Sequence, residues 1–278
     1  MPVIDKAYTR IAEGQMHLHR MAGETDGHLP LVMLHASPAS STSLLPIIRE
    51  MPPSRDVIAF DTPCNGHSCA PAMDDPEISD FADMLDRACD ATGLDELAIY
   101  GTHTGAHIAI AWALARPGRV KGLALDGVAL LDADLRQEML AQYAPPQRPD
   151  ETGSQFHWAW QYIRDQMIFF PHYRKDAEHR REGGVFDARL LHELVLDVLN
   201  NLESYHMPYR AVFRHEVRAD LKRLALPTLV LRDGGGPLDP ASRELSSLVA
   251  HAKLADRCGS PAAKAAAIQS FVSECEND

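Results

Sequence analysis

Five residues near the middle of the chain, Gly101-Thr102-His103-Thr104-Gly105, place a titratable ring between two glycines. Before them runs LAIY (97–100), long enough for a buried strand. After them comes an alanine-rich apolar stretch of helical length that stops at Pro117-Gly118. Strand, sharp turn and helix in that order make a nucleophile elbow, where flanking glycines relieve crowding around a strained central residue. The residue usually found at that centre is serine; here it is His103. An imidazole at a helix N-terminus is disfavoured as a cation, and burial acts in the same direction. A neutral ring at pH 7 is therefore expected, available either as a nucleophile or as a base. As a nucleophile it would attack an activated acyl group and form a labile acyl-imidazole. As a base it would take a proton from water or from a substrate C–H or O–H, supporting hydrolysis or lyase chemistry. His103 and His107 also form H-x-x-x-H, a spacing that can present two imidazoles to a metal. No glutamate follows His103 and no third ligand is evident, so His107 reads as a buried helical residue. No metal and no cofactor are expected.

The surrounding elements must hold that ring in place. LVMLH (31–35) and VIAF (57–60) are continuously apolar, as strands covered on both faces are. Residues 39–50 carry an apolar helical stripe, and 76–97 have a helical period with a stop at Gly93. VKGLAL closes on Asp126, and the C-terminal part reads as strand 227–231, helix 241–252, a short strand KLADRC and a last helix from Pro261. Strands alternating with helices imply right-handed crossovers and a mostly parallel sheet. From about 131 to 215 strand signals vanish while helical periodicity persists, with aromatic residues and histidines concentrated there. At 278 residues the chain is long enough for one large α/β domain with an insertion. Its formal charge of −12, spread along the sequence, argues against nucleic acid or an anionic membrane as partners. Five cysteines without metal or disulfide spacing, and an N-terminus without a signal-peptide core, point to reduced thiols in the cytoplasm.

Several motifs together resemble the α/β-hydrolase superfamily over nearly the whole chain. Residues 14–19 look like entry into the first hairpin. His35-Ala36-Ser37-Pro38 resembles the family's His-Gly-x-Pro oxyanion turn, with Ala36 in place of glycine. Asp61-Thr62-Pro63-Cys64-Asn65-Gly66-His67-Ser68 is similar to Asp-x-Pro-Gly-x-Gly-x-Ser, with Cys64 for one glycine. The resemblance implies an α/β-hydrolase fold: a mostly parallel central sheet, helices on both faces, and a helical cap insertion. It divides the chain into a core of 1–130 and 216–278 and a cap of 131–215.

By the same resemblance every triad position is altered. His103 holds the nucleophile position. Asp233-Gly234-Gly235-Gly236-Pro237 puts Gly236 where the acid would stand, and Cys258-Gly259-Ser260-Pro261 shortens the loop that would carry the histidine. Ser-His-Asp hydrolysis in the usual arrangement is thereby excluded. The backbone N–H groups of Ser37 and Thr104 are implied as an oxyanion hole. Asp126, at the end of its strand, is the candidate to orient His103; Asp233 and Asp239 read as loop or solvated residues. His35 is assigned to structural hydrogen bonding beside the substrate. Trp158, Phe170, His172 and Tyr173 are candidates to line the site, with His172-Tyr173 as a proton donor from the roof. The expected partner is a small-molecule substrate or ligand, and a homodimer is left open. Two functions follow: a hydrolase or lyase acting on a small, largely apolar carbonyl or ester compound, or a ligand-binding relative without catalysis, such as a sensor or carrier.

Overall fold

The strands Leu31–Leu34 (β3) and Val57–Phe60 (β4) are fully buried along their length, which places them inside the sheet. The computed structural model describes residues 2–23, 27–181, 187–233 and 238–276. Asp5–Ile11 (β1) and Gly14–Met21 (β2) form an antiparallel hairpin, and β2 continues antiparallel onto β4. Leu97–Thr102 (β5), Val120–Asp126 (β6), Thr228–Leu231 (β7) and Ala252–Ala255 (β8) follow in parallel. The eight strands lie in the order β1-β2-β4-β3-β5-β6-β7-β8. The sheet is thus mostly parallel, as the sequence pattern predicts.

Alternation along the strands sorts the core into two layers. Leu97, Ile99, Leu123 and Leu125 pack on one face with Ile78–Ala91 (α2) and Thr104–Ala115 (α3). Ala98, Tyr100 and Ala124 pack on the other with Leu45–Ile48 (α1) and Pro261–Cys275 (α10). α3 is apolar around most of its circumference because both the sheet and other helices cover it. Its Trp112, fully buried, donates Nε1–H to Asp86 of α2 at 2.8 Å, and Asp86 also pairs with Arg116 and Arg119. That cluster locks the helix carrying the elbow to its neighbour.

Between β6 and β7 the chain forms Ala133–Gln142 (α4), Ser154–Ile168 (α5), Ala188–Asn200 (α6), His206–Arg214 (α7) and the short Val217–Leu221 (α8). Among the described residues no strand of the sheet comes from this stretch. Asp239–Leu248 (α9) precedes β8. Two element boundaries differ from the sequence reading. The stripe at 39–50 forms a 3-10 turn at Ser41–Leu44 followed by α1 instead of one helix. The last strand is Ala252–Ala255, earlier than KLADRC suggests, because its pairing with β7 ends at Ala255 opposite Leu231. Among the described residues no helix is long and apolar enough to cross a membrane.

Candidate active site

β5 ends at Thr102 and α3 begins at Thr104, so a single residue turns the chain. That residue is His103, at φ 50° and ψ −112°, a conformation non-glycine residues seldom adopt. The turn is fastened on both sides. His103 N–H donates to the Asp126 carbonyl at 2.8 Å, and Gly105 N–H donates to the His35 carbonyl at 3.2 Å. Only glycine fits at 105, since a Cβ there would stand 2.3 Å from the Leu34 carbonyl oxygen. β5 and α3 thus meet in a one-residue turn, which carries the imidazole to the C-terminal edge of the sheet, where open α/β sheets bind their ligands.

Surrounding atoms crowd the His103 ring, yet it remains exposed to a cavity of about 330 Å³. Burial is the chief cause that lowers its pKa from 6.5; Asp126 opposes that shift, while Lys264 and Arg181 add to it. Its Nδ1 lies 2.9 Å from Thr102 Oγ1. Gly127 backs the ring: a Cβ at that residue, whose φ is 67°, would come within 2.8 Å of His103 Cε1. The helix N-terminus, the Thr102 hydroxyl and this glycine wall set where the ring points.

The Asp126 carboxylate is engaged elsewhere. Register pairs Asp126 with Thr102 across β5 and β6, and residue alternation puts Tyr100, Thr102 and Asp126 on the face covered by α10. Lys264, in the first turn of α10, reaches Asp126 Oδ2 at 2.5 Å, and the Tyr100 hydroxyl donates to the same oxygen at 2.9 Å. Burial first, and then the Asp126 charge, push the Tyr100 pKa well above that of an ordinary phenol, so the hydroxyl keeps its proton. Among the described residues no carboxylate hydrogen-bonds the His103 ring directly. Asp126 instead acts through its main-chain carbonyl, which accepts from His103 N–H, and through its field. The 2.9 Å contact can be made in either direction; with His103 Nδ1–H donating to Thr102 Oγ1, the Nε2 lone pair is left unengaged.

The turn after β3 borders the same cavity. His35 is fully buried; its Nδ1–H donates to the Ala36 carbonyl at 2.9 Å and its Nε2 accepts from Thr62 N–H at 2.9 Å. It braces the turn and does not line the cavity, which agrees with its structural assignment and not with substrate contact. Asp61 ties the neighbouring loop down. Burial alone would raise its pKa, but hydrogen bonds from His17, Ser41 and His67 hold the carboxyl well below the usual range. Ser37 and Thr104 both line the cavity. Ser37 N–H has only a 3.4 Å contact with Thr104 Oγ1, and its carbonyl accepts from Tyr209 of α7 at 2.8 Å. Thr104 N–H, the first amide of α3, has no acceptor among the described residues. Two main-chain donors therefore stand beside the imidazole.

Of the four candidates from the insertion, the cavity takes only Phe170. Trp158 stacks on Tyr162 at 4.8 Å, and His172 donates Nε2–H to the Tyr143 carbonyl at 2.8 Å among the rings of Tyr143 and Tyr162. Tyr173 packs edge-on to Tyr143 and His172. These three fill the interior of the insertion, so a proton donor at His172-Tyr173 does not face the site. Tyr143, Gln166, Arg181 and Tyr209 supply polar lining that the sequence reading missed. His107 lines the cavity too, but its Nδ1 meets His215 Nδ1 at 3.0 Å and its Nε2 accepts from Ala129 N–H at 3.3 Å. Among the described residues no group of three or more His, Cys, Asp or Glu is arranged to hold a metal. Gly236, proposed for the vacant acid position, and the Asp239 side chain lie outside the described residues; Asp233 is exposed.

Comparison with known proteins accords with this geometry. No curated protein matches the sequence. Among solved structures the chain is similar to a hydrolase from Pseudomonas aeruginosa PA01, at 18% identity and a TM-score of 0.72 over 96% of this chain and 98% of that one. A thermophilic esterase from Thermogutta terrifontis matches at 18% identity and a TM-score of 0.71, with 99% of each chain covered. An enol-lactonase from Burkholderia xenovorans LB400 matches at 17% identity and a TM-score of 0.65, covering 98% of each. At such identities these likenesses speak for the fold alone. The model of the alpha/beta hydrolase fold family matches residues 30–253, more than half of the chain, and the chain belongs to that family.

Proposed function

We propose that this protein is an α/β-hydrolase-fold enzyme that acts on small, largely apolar ester or lactone carbonyls beneath a helical cap of residues 131–215. His103 is its reactive group, and the Ser37 and Thr104 amides receive the developing oxyanion. The observation that carries this reading is the position of the His103 ring: it stands on a strained elbow, exposed to a cavity, with two main-chain donors beside it. Burial, the helix N-terminus and Lys264 favour the neutral ring, and Nδ1–H bound to Thr102 leaves Nε2 as the base or nucleophile. As a base, Nε2 takes a proton from water as the water oxygen bonds to the carbonyl carbon; that proton leaves with the alcohol when the ester C–O bond breaks. Main-chain donors of this kind contribute roughly 3 kcal/mol each to such a transition state. Several structural neighbours are named as an esterase, a lactonase or a hydrolase, which fits this reaction class.

A second reading, a ligand-binding protein without turnover, is favoured by one observation. Among the described residues no carboxylate hydrogen-bonds the His103 ring, and the Asp126 carboxylate is held by Lys264 and Tyr100. Rates on p-nitrophenyl butyrate and on lactones of similar size, followed across pH, separate the two. Hydrolysis is expected, with activity falling as pH drops through the imidazole pKa, at an inflection below 6.5 because the ring must be neutral to act. Thermal stabilisation by these compounds without product release would favour the binding reading.

A further inference from the structure

The cavity is walled by apolar side chains such as Met139, Ile163, Phe170 and Leu194, yet one permanent charge is set into that wall: the guanidinium of Arg181. Its backbone is held in place. Phe170 N–H donates to the His179 carbonyl at 2.8 Å and Arg181 N–H to the Ile168 carbonyl at 2.7 Å, a short antiparallel bridge of Phe169 with Arg180 that sets residue 181 beside Ile168, at the end of α5. The guanidinium is oriented as well, since Nη1 donates to the Gln166 carbonyl at 2.9 Å. The remaining N–H groups stay available, and among the described residues no carboxylate pairs with Arg181. Nor does any Asp or Glu line the cavity among the described residues. Arg181 is also near enough for its charge to act on both Tyr143 and His103. An exposed guanidinium at the edge of an apolar chamber suits a ligand whose body is buried while its charged end stays partly hydrated.

We infer that Arg181 receives a carboxylate, so that the compounds this cavity takes are amphipathic acids whose second, reacting carbonyl meets His103. The planar fork of arginine matches a carboxylate with two parallel hydrogen bonds, a match that an ester or amide end cannot make. The cavity volume equals roughly ten water volumes of about 30 Å³ each, which suits a medium-length chain. The inference rests on the hydrolase reading for the reacting end only; capture of the carboxylate stands without it. For a half-ester the reaction is ordinary hydrolysis: water oxygen joins the acyl carbon, the C–OCH3 bond breaks, and methanol leaves with the proton that His103 took from water.

Two arms test it. In the first, octanoate and octanamide are titrated into the full-length His103→Ala protein, where turnover plays no part. Octanoate is expected to bind about tenfold more tightly, the preference shrinking at high salt, reduced in an added Arg181→Lys change and gone in Arg181→Gln. In the second, monomethyl suberate is compared with dimethyl suberate on otherwise native enzyme. The half-ester is expected to have about tenfold higher kcat/KM, a ratio falling to about one in Arg181→Gln. Equal binding of octanoate and octanamide, or a preference that Arg181→Gln leaves intact, overturns the carboxylate inference even if ester hydrolysis proceeds. Tighter binding of octanoate with no hydrolysis of either ester supports the inference and sinks the hydrolase reading instead. Should Arg181→Gln fail to fold, the salt response and the Arg181→Lys protein still decide the matter.

Discussion

His103→Ala is expected to lower kcat/KM on activated esters by about 10²–10⁴-fold while leaving the fold intact. The lower bound is what a lost general base costs, and the loss grows if the ring is a nucleophile. A residual rate above that of water should survive, because the Ser37 and Thr104 amides belong to the backbone and remain after the substitution. The fold should tolerate the change because the ring faces the cavity and is not packed in the core. Kinetics on p-nitrophenyl butyrate, with the melting midpoint measured in parallel, check both halves. A variant that folds and still hydrolyses at the native rate would show that the chemistry lies elsewhere.

The second large effect is on stability. Lys264 and Asp126 form an ion pair whose side chains are only 19% and 6% exposed, so removal of one partner strands a buried charge. Lys264→Ala is expected to cost about 3–5 kcal/mol, since the Tyr100 hydroxyl alone cannot balance the carboxylate. For a chain of this size each kcal/mol shifts the melting midpoint by roughly 2–4 °C, so a fall of about 10 °C is anticipated. The double change Asp126→Leu with Lys264→Met should recover much of it, because an apolar pair of similar volume avoids the desolvation cost. The single Lys264→Ala change should also move the acid limb of the pH–rate profile upward, as a cation that disfavours imidazolium has gone. A midpoint unchanged in Lys264→Ala would mean that the pair carries no such weight.

The features readable from sequence and those not readable divide on physical grounds. β4 could be placed to the residue and β3 to within one because strands buried on both faces are continuous apolar runs. The elbow was readable because its constraint is local: a one-residue turn requires glycine at 105, where the Leu34 carbonyl approaches. The insertion was readable as helical but not side chain by side chain. Whether Trp158 or Tyr143 faces the cavity depends on how α5 packs on α6 and how α4 packs on α7, and both residues suit an apolar contact equally well. Arg181 left no sequence signal, since its position comes from a bridge to residues 168–170 rather than from a periodic element. Lys264 did leave one, as the sole charge in PAAKAAA at the start of α10, but the sequence reading did not use it. Asp126 was recognised as a strand-end carboxylate near the elbow. Its pairing with Lys264 could not be read, because that requires knowing which sheet face α10 covers.

A single proton decides which nitrogen of His103 can react. Long-range 1H–15N spectra of histidine-labelled protein, with His103 assigned by its substitution, report directly which ring nitrogen carries it. A neutral ring at pH 7 protonated on Nδ1, with unprotonated Nε2 and a titration midpoint below 6.5, is the predicted result. A His103 that is imidazolium at pH 7, or that carries its proton on Nε2, would contradict it.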